Sequence, residues 1–255
     1  MTTHQESIID QFTRQAVPFS KLDGHTNEES LHLLMEMVSV SEQDTVLDVA
    51  CGSGIVSCAF ATVASHVTGI DITPAMLKQA EILAQQKSLT NLSWQQGDIE
   101  TLPFPDASFS IVLSRYAFHH FLQPDVVLSE IVRVCRPGGR VLIADVALPP
   151  AKVDAYDRIE KLRDPSHTHA LTLEEFPSLV TDANLQNVKL AFYKVEMGLE
   201  QQLAASFPKS GDDEKLRQIF RDDIGIDHLG VGAHFQGDEI HYAVPISVIV
   251  GEKVV

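Results

Sequence analysis

VLDVACGSG, residues 46–54, is an apolar, β-branched run that ends abruptly in a glycine-rich turn. A strand that stops in such a turn and opens a helix lets the backbone approach a ligand closely and aims helix N–H groups at it. TVLDVA (45–50) reads as the strand, CGSG (51–54) as the turn, and the residues to about Ala64 as the helix. Asp71 lies seventeen residues past Gly54 and closes the next β-branched run, HVTGID (66–71). A carboxylate at that point can accept both hydroxyls of a ribose. A glycine turn and an acid at this spacing point to a nucleoside-containing cofactor.

Outward from this unit the chain alternates short strand patterns with helical ones, which predicts βαβ units and a parallel sheet. Thr73 and Pro74 supply an N-cap and a first helical position for a helix to about Lys87. NLSWQQ (91–96) and FSIVLS (109–114) read as the third and fourth strands. Pro124 opens a helix with Val127, Ile131, Val134 and Cys135 on one face. Arg136-Pro137-Gly138-Gly139 breaks it before a fifth strand, RVLIADVAL (140–148). Thr172 and Glu175 form a capping box at a helix start. NVKLAFYKVEM (187–197) and HYAVPISVIVG (241–251) read as two late strands, with a polar helix at 212–222 between them. The separation exceeds an ordinary connection and predicts an inserted lid or subdomain at about 198–240. Two amphipathic helices, 4–16 and 26–38, precede the first strand. The expected division is a helical lid over 1–40 and one α/β domain over 41–255.

A chain of 255 residues with 44% hydrophobic content suffices for one large domain. The formal charge of −16 disfavours nucleic acid, whose binding needs clustered Lys and Arg. Cys51, Cys58 and Cys135 make an odd count with no metal-ligand spacing, which suits a reducing cytoplasm. The first residues lack the pattern of a signal peptide, and no apolar run is long enough to span a membrane. The expectation is a cytoplasmic protein with a small-molecule partner, no nucleic acid and no membrane span; the oligomeric state stays open, a homodimer included.

Four segments in order resemble the motifs of the ubiquinone/menaquinone-biosynthesis-type methyltransferases, a class I S-adenosylmethionine (SAM)-dependent family. They are VLDVACGSG (46–54), GIDITPAML (69–77), GDIETLPFPDASFSIVLS (97–114) and RVCRPGGRVLIAD (133–145). The resemblance spans residues 45–148, about two fifths of the chain. It implies a doubly wound class I methyltransferase fold, whose seven-stranded, mostly parallel sheet has an antiparallel last strand. It implies transfer of the methyl of SAM to an O, N or C atom of a small metabolite, leaving S-adenosylhomocysteine (SAH). By the same resemblance Asp48 and the backbone at Ala50, Gly52 and Gly54 hold the methionine end of SAM. Asp71 binds the ribose, Ile72 and Met76 pack on adenine or ribose, and Asp98 accepts from the adenine amino group. Ile99 bounds the ring, and the backbone of Ser114 and Arg115 lies where cofactor and substrate meet. Ala50 replaces the first glycine of the fuller motif.

Two other readings compete. An NAD-dependent oxidoreductase wants G-x-G-x-x-G/A, but Ser57 stands at the third position. A SAM-binding protein without catalysis is a reading of a different class, against which the candidate bases count. An arsenite methyltransferase would need metal-binding cysteines that three core cysteines cannot supply.

Methyl transfer needs alignment of a nucleophile with the S–CH3 bond, and a base near neutral pKa helps where the nucleophile is protonated. SRYAFHHF (114–121) puts His119 and His120 just past the fourth strand. SRYAFHH resembles the stretch of phosphoethanolamine methyltransferases whose final His is the base, a position matched by His120. The partner tyrosine of that branch is missing, and Phe19 stands as the candidate for its place. RDPSHTHALT (163–172) adds His167 and His169 as substrate contacts or loop-packing residues. His228, His234 and His241 fit no metal-ligand spacing, so no metal is expected. Cys51 has no histidine in local register and is expected to pack rather than react.

Overall fold

The structure is a computed structural model that describes residues 3–20 and 26–254. The strand runs are apolar on both faces because helices cover both sides of the sheet they build. In β1 (Thr45–Val49), Val46 faces one apolar layer while Leu47 and Val49 face the other, all three fully buried. β2 (His66–Asp71), β3 (Leu92–Gln96), β4 (Phe109–Arg115) and β5 (Cys135–Leu148) follow in parallel. β7 (Leu185–Gly198) and β9 (Glu239–Lys253) complete the order β3-β2-β1-β4-β5-β9-β7, with β9 antiparallel to both neighbours. The seven-stranded, mostly parallel sheet with an antiparallel last strand is the expected one. Two short strands are added, β6 (Leu171–Thr172) beside β5 and β8 (His234–Gln236) beside β9.

The helices α3 (Ile55–Phe60), α4 (Pro74–Gln86) and α5 (Pro124–Val134) connect the parallel strands. On α5, Val127, Ile131 and Val134 lose all contact with water, each burial stabilising the fold by roughly 1.5–3 kcal/mol. Helices α1 (His4–Phe19) and α2 (Glu28–Val38) stand near their expected positions, and a Thr3–Glu6 capping box starts α1. α7 (Glu175–Asp182) begins at the expected box, with Thr172 Oγ1 accepting from Glu175 N at 2.9 Å and Glu175 Oε2 from Thr172 N at 2.8 Å. The segment between β7 and β9 holds α8 (Leu199–Ser206) and α9 (Asp212–Asp223).

Three details depart from expectation. Thr73 and Pro74 begin α4 as its N-cap and first helical residue, but the Thr73 hydroxyl accepts no helix N–H, and its backbone N–H goes to Asp71 Oδ1 at 2.8 Å. Helix α5 stops at Val134, before the Arg136–Gly139 segment as expected, but β5 starts at Cys135 rather than Arg140 and absorbs the glycines through a register shift against β4. Helix α6 (Pro150–Arg163) was not expected, since its inward face mixes Val153, Tyr156 and Ile159 with the buried charges Asp157, Glu160 and Arg163. Among the described residues no helix is long and apolar enough to cross a membrane.

Candidate active site

The strand order turns back at β1, which has β2 on one side and β4 on the other. Ligands of open α/β sheets bind beyond the carboxyl ends of the strands at such a point. A cavity of about 1130 Å3 opens there between the glycine turn, the ends of β2 and β4, the 98–100 segment and α1. The turn reaches it through Ala50 at φ 57° and Gly52 at φ 53°. That left-handed conformation is easy for glycine and costs an alanine about 1 kcal/mol. Gly54 plays another part. It caps α3 at φ 76°, where a Cβ would lie 2.7 Å from Ala80 Cβ and 2.8 Å from Trp94 Cη2. It is a close-packing residue and does not line the cavity.

Acids outnumber the cations on the wall of this cavity. Asp48 is buried and accepts from Ser57 Oγ at 2.5 Å. Burial pushes its carboxyl up to about 7, with Ser57 and the Arg115 guanidinium pulling the other way. Asp71 is buried too, and burial raises its carboxyl although Gly52 N and Thr73 N donate to its two oxygens, each at 2.8 Å. Each carboxylate oxygen keeps a lone pair for a further donor. Asp98 is exposed, with Oδ1 accepting from Glu100 N and Oδ2 from Gln5 Nε2 of α1, both at 2.9 Å. Buried carboxyls whose pKa values burial raises fit a ligand that brings positive charge and hydroxyl donors, as SAM does with its ammonium, sulfonium and ribose.

His120 lines this cavity, with His119 beside it. Phe118–His120 form a single 3-10 turn after β4. His120 is buried, and its Nδ1 lies 3.1 Å from the Ser166 carbonyl. A carbonyl only accepts, so Nδ1 carries the proton and Nε2 keeps its lone pair, with no hydrogen-bond partner among the described residues. Burial and the neighbouring His119 push its pKa down, so the ring is neutral. His119 differs. Burial disfavours its charge, but Asp145 Oδ1 at 2.6 Å from its Nδ1 outweighs that and raises its pKa. Asp145 is held in turn by the N–H groups of Phe118 and Val146.

A second cavity of about 610 Å3 adjoins the first, and His120, Tyr116, Phe12 and Phe19 line both. His119, Asp145, Glu160, Arg163 and Gln202 line the second alone. Tyr116 carries strain at the junction, with φ 56° in the left-handed region, its backbone N–H bound to Ala144 O and its ring stacked under Arg115.

Asp48, Ala50, Gly52 and Asp71 thus line the first cavity, as do Ile72, Met76, Asp98 and Ile99. Phe19 lies at the junction, 6.2 Å from Phe12 in an edge-on pair. Ser114 does not line it; its side chain is buried within β4 and Arg115 is the residue that reaches the cavity. His169 lines neither cavity and is half exposed between Asp157 and Glu175, whereas His167 is buried against Asp157 at 2.7 Å. Cys51 packs in the turn with burial pushing its thiol far up. No cluster of three metal-ligating side chains occurs among the described residues. Asp145, Glu160, Arg163, Tyr156, Gln202 and Tyr242 escaped the sequence reading. Only Asp145 left a signal there, as the final residue of the fourth motif.

A family described as "Methyltransferase domain" matches residues 47–143. The chain is 35% identical to the uncharacterized methyltransferase YcgJ of Bacillus subtilis (strain 168) over 170 residues, which cover 66% of this chain and 67% of that protein. The crystal structure of YcgJ superposes with a TM-score of 0.81 at 25% identity, covering 90% of this chain and all 100% of the other. The ubiquinone/menaquinone biosynthesis C-methyltransferase UbiE of Roseobacter denitrificans is 30% identical over 189 residues, 65% of this chain and 75% of UbiE. Phosphoethanolamine N-methyltransferase 2 of Haemonchus contortus, solved with SAM, shares the fold with a TM-score of 0.64 at 16% identity, over 90% of this chain and 53% of that one. These likenesses set aside the oxidoreductase reading and the reading without catalysis. With the doubly wound sheet, the glycine turn and the acid-lined crevice, they show that the chain belongs to the class I SAM-dependent methyltransferases.

Proposed function

We propose that this enzyme moves the methyl group of SAM to an O, N or C atom of a small metabolite seated in the second cavity, with His120 as the base. SAM supplies an electrophilic methyl on a sulfonium that is already a good leaving group. The observation that carries the reading is that His120 belongs to both cavities, at the place a methyl must cross. Its lone pair at Nε2 takes the proton of the acceptor while the Ser166 carbonyl holds the ring through Nδ1. Within the cofactor cavity, Asp48 and the turn at Ala50 and Gly52 take the methionine end, and Asp71 takes the ribose. Ile72, Met76 and Ile99 bound the adenine, whose amino group goes to Asp98. His119, fixed by Asp145, orients the acceptor.

The N-terminal helices and the 198–240 insertion form the lid of the acceptor cavity. Gln5 of α1 holds Asp98, His4 Nε2 lies 2.8 Å from the His120 carbonyl, and Gln11 Nε2 donates to Ser206 O at the end of α8 at 2.7 Å. The motifs support the ubiquinone/menaquinone branch, although the identity with YcgJ is higher than that with UbiE. Three buried, unpaired thiols suit the cytoplasm, and a charge of −16 suits an acceptor other than nucleic acid.

The test is a screen of metabolite extracts with methyl-labelled SAM, followed by His120→Ala on the acceptor found. Turnover should fall on the order of 100-fold with SAM affinity unchanged, and Asn at the position should restore little. Activity of His120→Ala within a few-fold of wild type would exclude His120 as the base.

A further inference from the structure

We infer that the second cavity is built for an uncharged, largely apolar acceptor that bonds through hydroxyl or carbonyl groups, and that it rejects phosphomonoesters and carboxylates. This rests on the reading of that cavity as the acceptor site.

The charges lining the cavity are already paired. Arg163 is the one Arg or Lys on its wall among the described residues. Its Nε and Nη2 donate to the two oxygens of Glu160 at 3.1 and 2.5 Å, and its Nη1 donates to Ser206 Oγ at 3.0 Å. The His119 ring is balanced by Asp145 through its Nδ1 alone, and the Asp164 carboxylate accepts from both the N–H and the hydroxyl of Ser166. Three carboxylates therefore face one guanidinium and one imidazole. An entering anion would meet a surplus of negative charge and lose its water without gaining a free cation.

The groups without partners are neutral. Neither end of the Gln202 amide is hydrogen-bonded among the described residues, and its Oε1 is fully buried. A buried amide left so is destabilising, and an acceptor offering a hydroxyl or carbonyl would relieve it. The hydroxyls of Tyr156 and Tyr242 line the same wall and have no hydrogen bond in the protein among the described residues. Val195, Met197, Val244 and Ile246 supply the apolar remainder. The stretch SRYAFHH resembles that of phosphoethanolamine methyltransferases, yet nothing on this wall is arranged to receive a phosphate.

Calorimetric titration of the full chain, with and without saturating SAH, compares 1-naphthol, 1-naphthyl phosphate and 1-naphthoate, which share one apolar body. The expected result is 1-naphthol binding at least tenfold tighter than either anion. Gln202→Leu should weaken 1-naphthol severalfold while leaving SAH affinity in place and the melting temperature equal or higher. Glu160→Gln, which loosens Arg163, should narrow the preference by raising affinity for 1-naphthyl phosphate. An anion that binds wild type as tightly as 1-naphthol overturns the inference, as does binding of none of the three, or an unmoved 1-naphthol affinity in Gln202→Leu. Should SAH fail to bind while 1-naphthol keeps its preference, the cofactor assignment falls and this inference stands.

Discussion

Asp48→Asn separates the cost of the cofactor site from its benefit. In the folded protein burial carries the Asp48 carboxyl from 3.8 to about 7. At 1.36 kcal/mol per pH unit, ionised Asp48 costs the cofactor-free fold about 4 kcal/mol. Asn keeps the Ser57 hydrogen bond and removes the charge, but its amide hydrogens are left without acceptors at a cost of about 1–3 kcal/mol. The net gain is about 2 kcal/mol at pH 8, or roughly 4–8 °C in melting temperature for a chain of this size. The pH dependence has a fixed sign. Below about pH 4 Asp48 is protonated both folded and unfolded, so the variant gains nothing and shows only the amide cost. Between pH 4 and 7 the unfolded state ionises while the folded state resists, so the advantage of Asn grows and then levels off above 7. SAM affinity should move the other way, falling about 10- to 100-fold with the loss of a charge-assisted contact. Thermal melts from pH 4 to 8.5 and calorimetry with SAM measure both. A melting difference that does not change with pH, or unchanged SAM affinity, would refute the placement of an ionisable, cofactor-facing Asp48.

Asp71→Ala should weaken SAM binding by about 1–3 kcal/mol in calorimetry, through loss of the ribose contacts and release of the Gly52 and Thr73 N–H groups; equal affinity would remove Asp71 from the site. Ala50→Gly should cost no stability, because relief of the left-handed Ala50 at φ 57° offsets the added chain entropy of glycine; a melting temperature several degrees lower would show that the Ala50 methyl packs usefully. Hydrogen exchange should show α1 and the 199–223 helices gaining protection when SAH and acceptor bind, and protection confined to residues 46–100 would remove the lid.

The first half of the chain was legible because it serves one purpose per position. Strands buried on both faces need unbroken runs such as VLDVA, and the turn after them needs residues tolerant of left-handed backbone. Both demands leave marks in residue type. Thr73 holds the N-cap position its sequence predicts, but its hydroxyl takes no helix N–H, while its own backbone N–H goes to the neighbouring Asp71 carboxylate. Helix α6 was hidden by its chemistry. Its inward stripe of Val153, Tyr156, Asp157, Ile159, Glu160 and Arg163 has helical spacing, but half of it is polar, and a search for apolar periodicity passes over it. A helix that buries charge toward a cavity looks in sequence like one that shows charge to water.

That concealment bears on the chemistry of the two cavities. Residues that meet the cofactor sit at strand ends and in the turn, where short-range sequence signals exist. The wall of the second cavity, the proposed acceptor site, draws on β5, α6, β7, α8 and β9, and its properties lie in pairings across long stretches of chain, such as Arg163 with Ser206. The cofactor side leaves buried carboxyls that burial raises, Asp48 to about 7, for an incoming positive charge to ionise. The acceptor side satisfies its charges internally and leaves neutral donors and acceptors open. If both sides presented uncompensated acids, a cationic metabolite could compete for the cofactor's place. Pairing Glu160 with Arg163 and Asp145 with His119 removes that competition while keeping the wall polar enough to orient an acceptor beside His120.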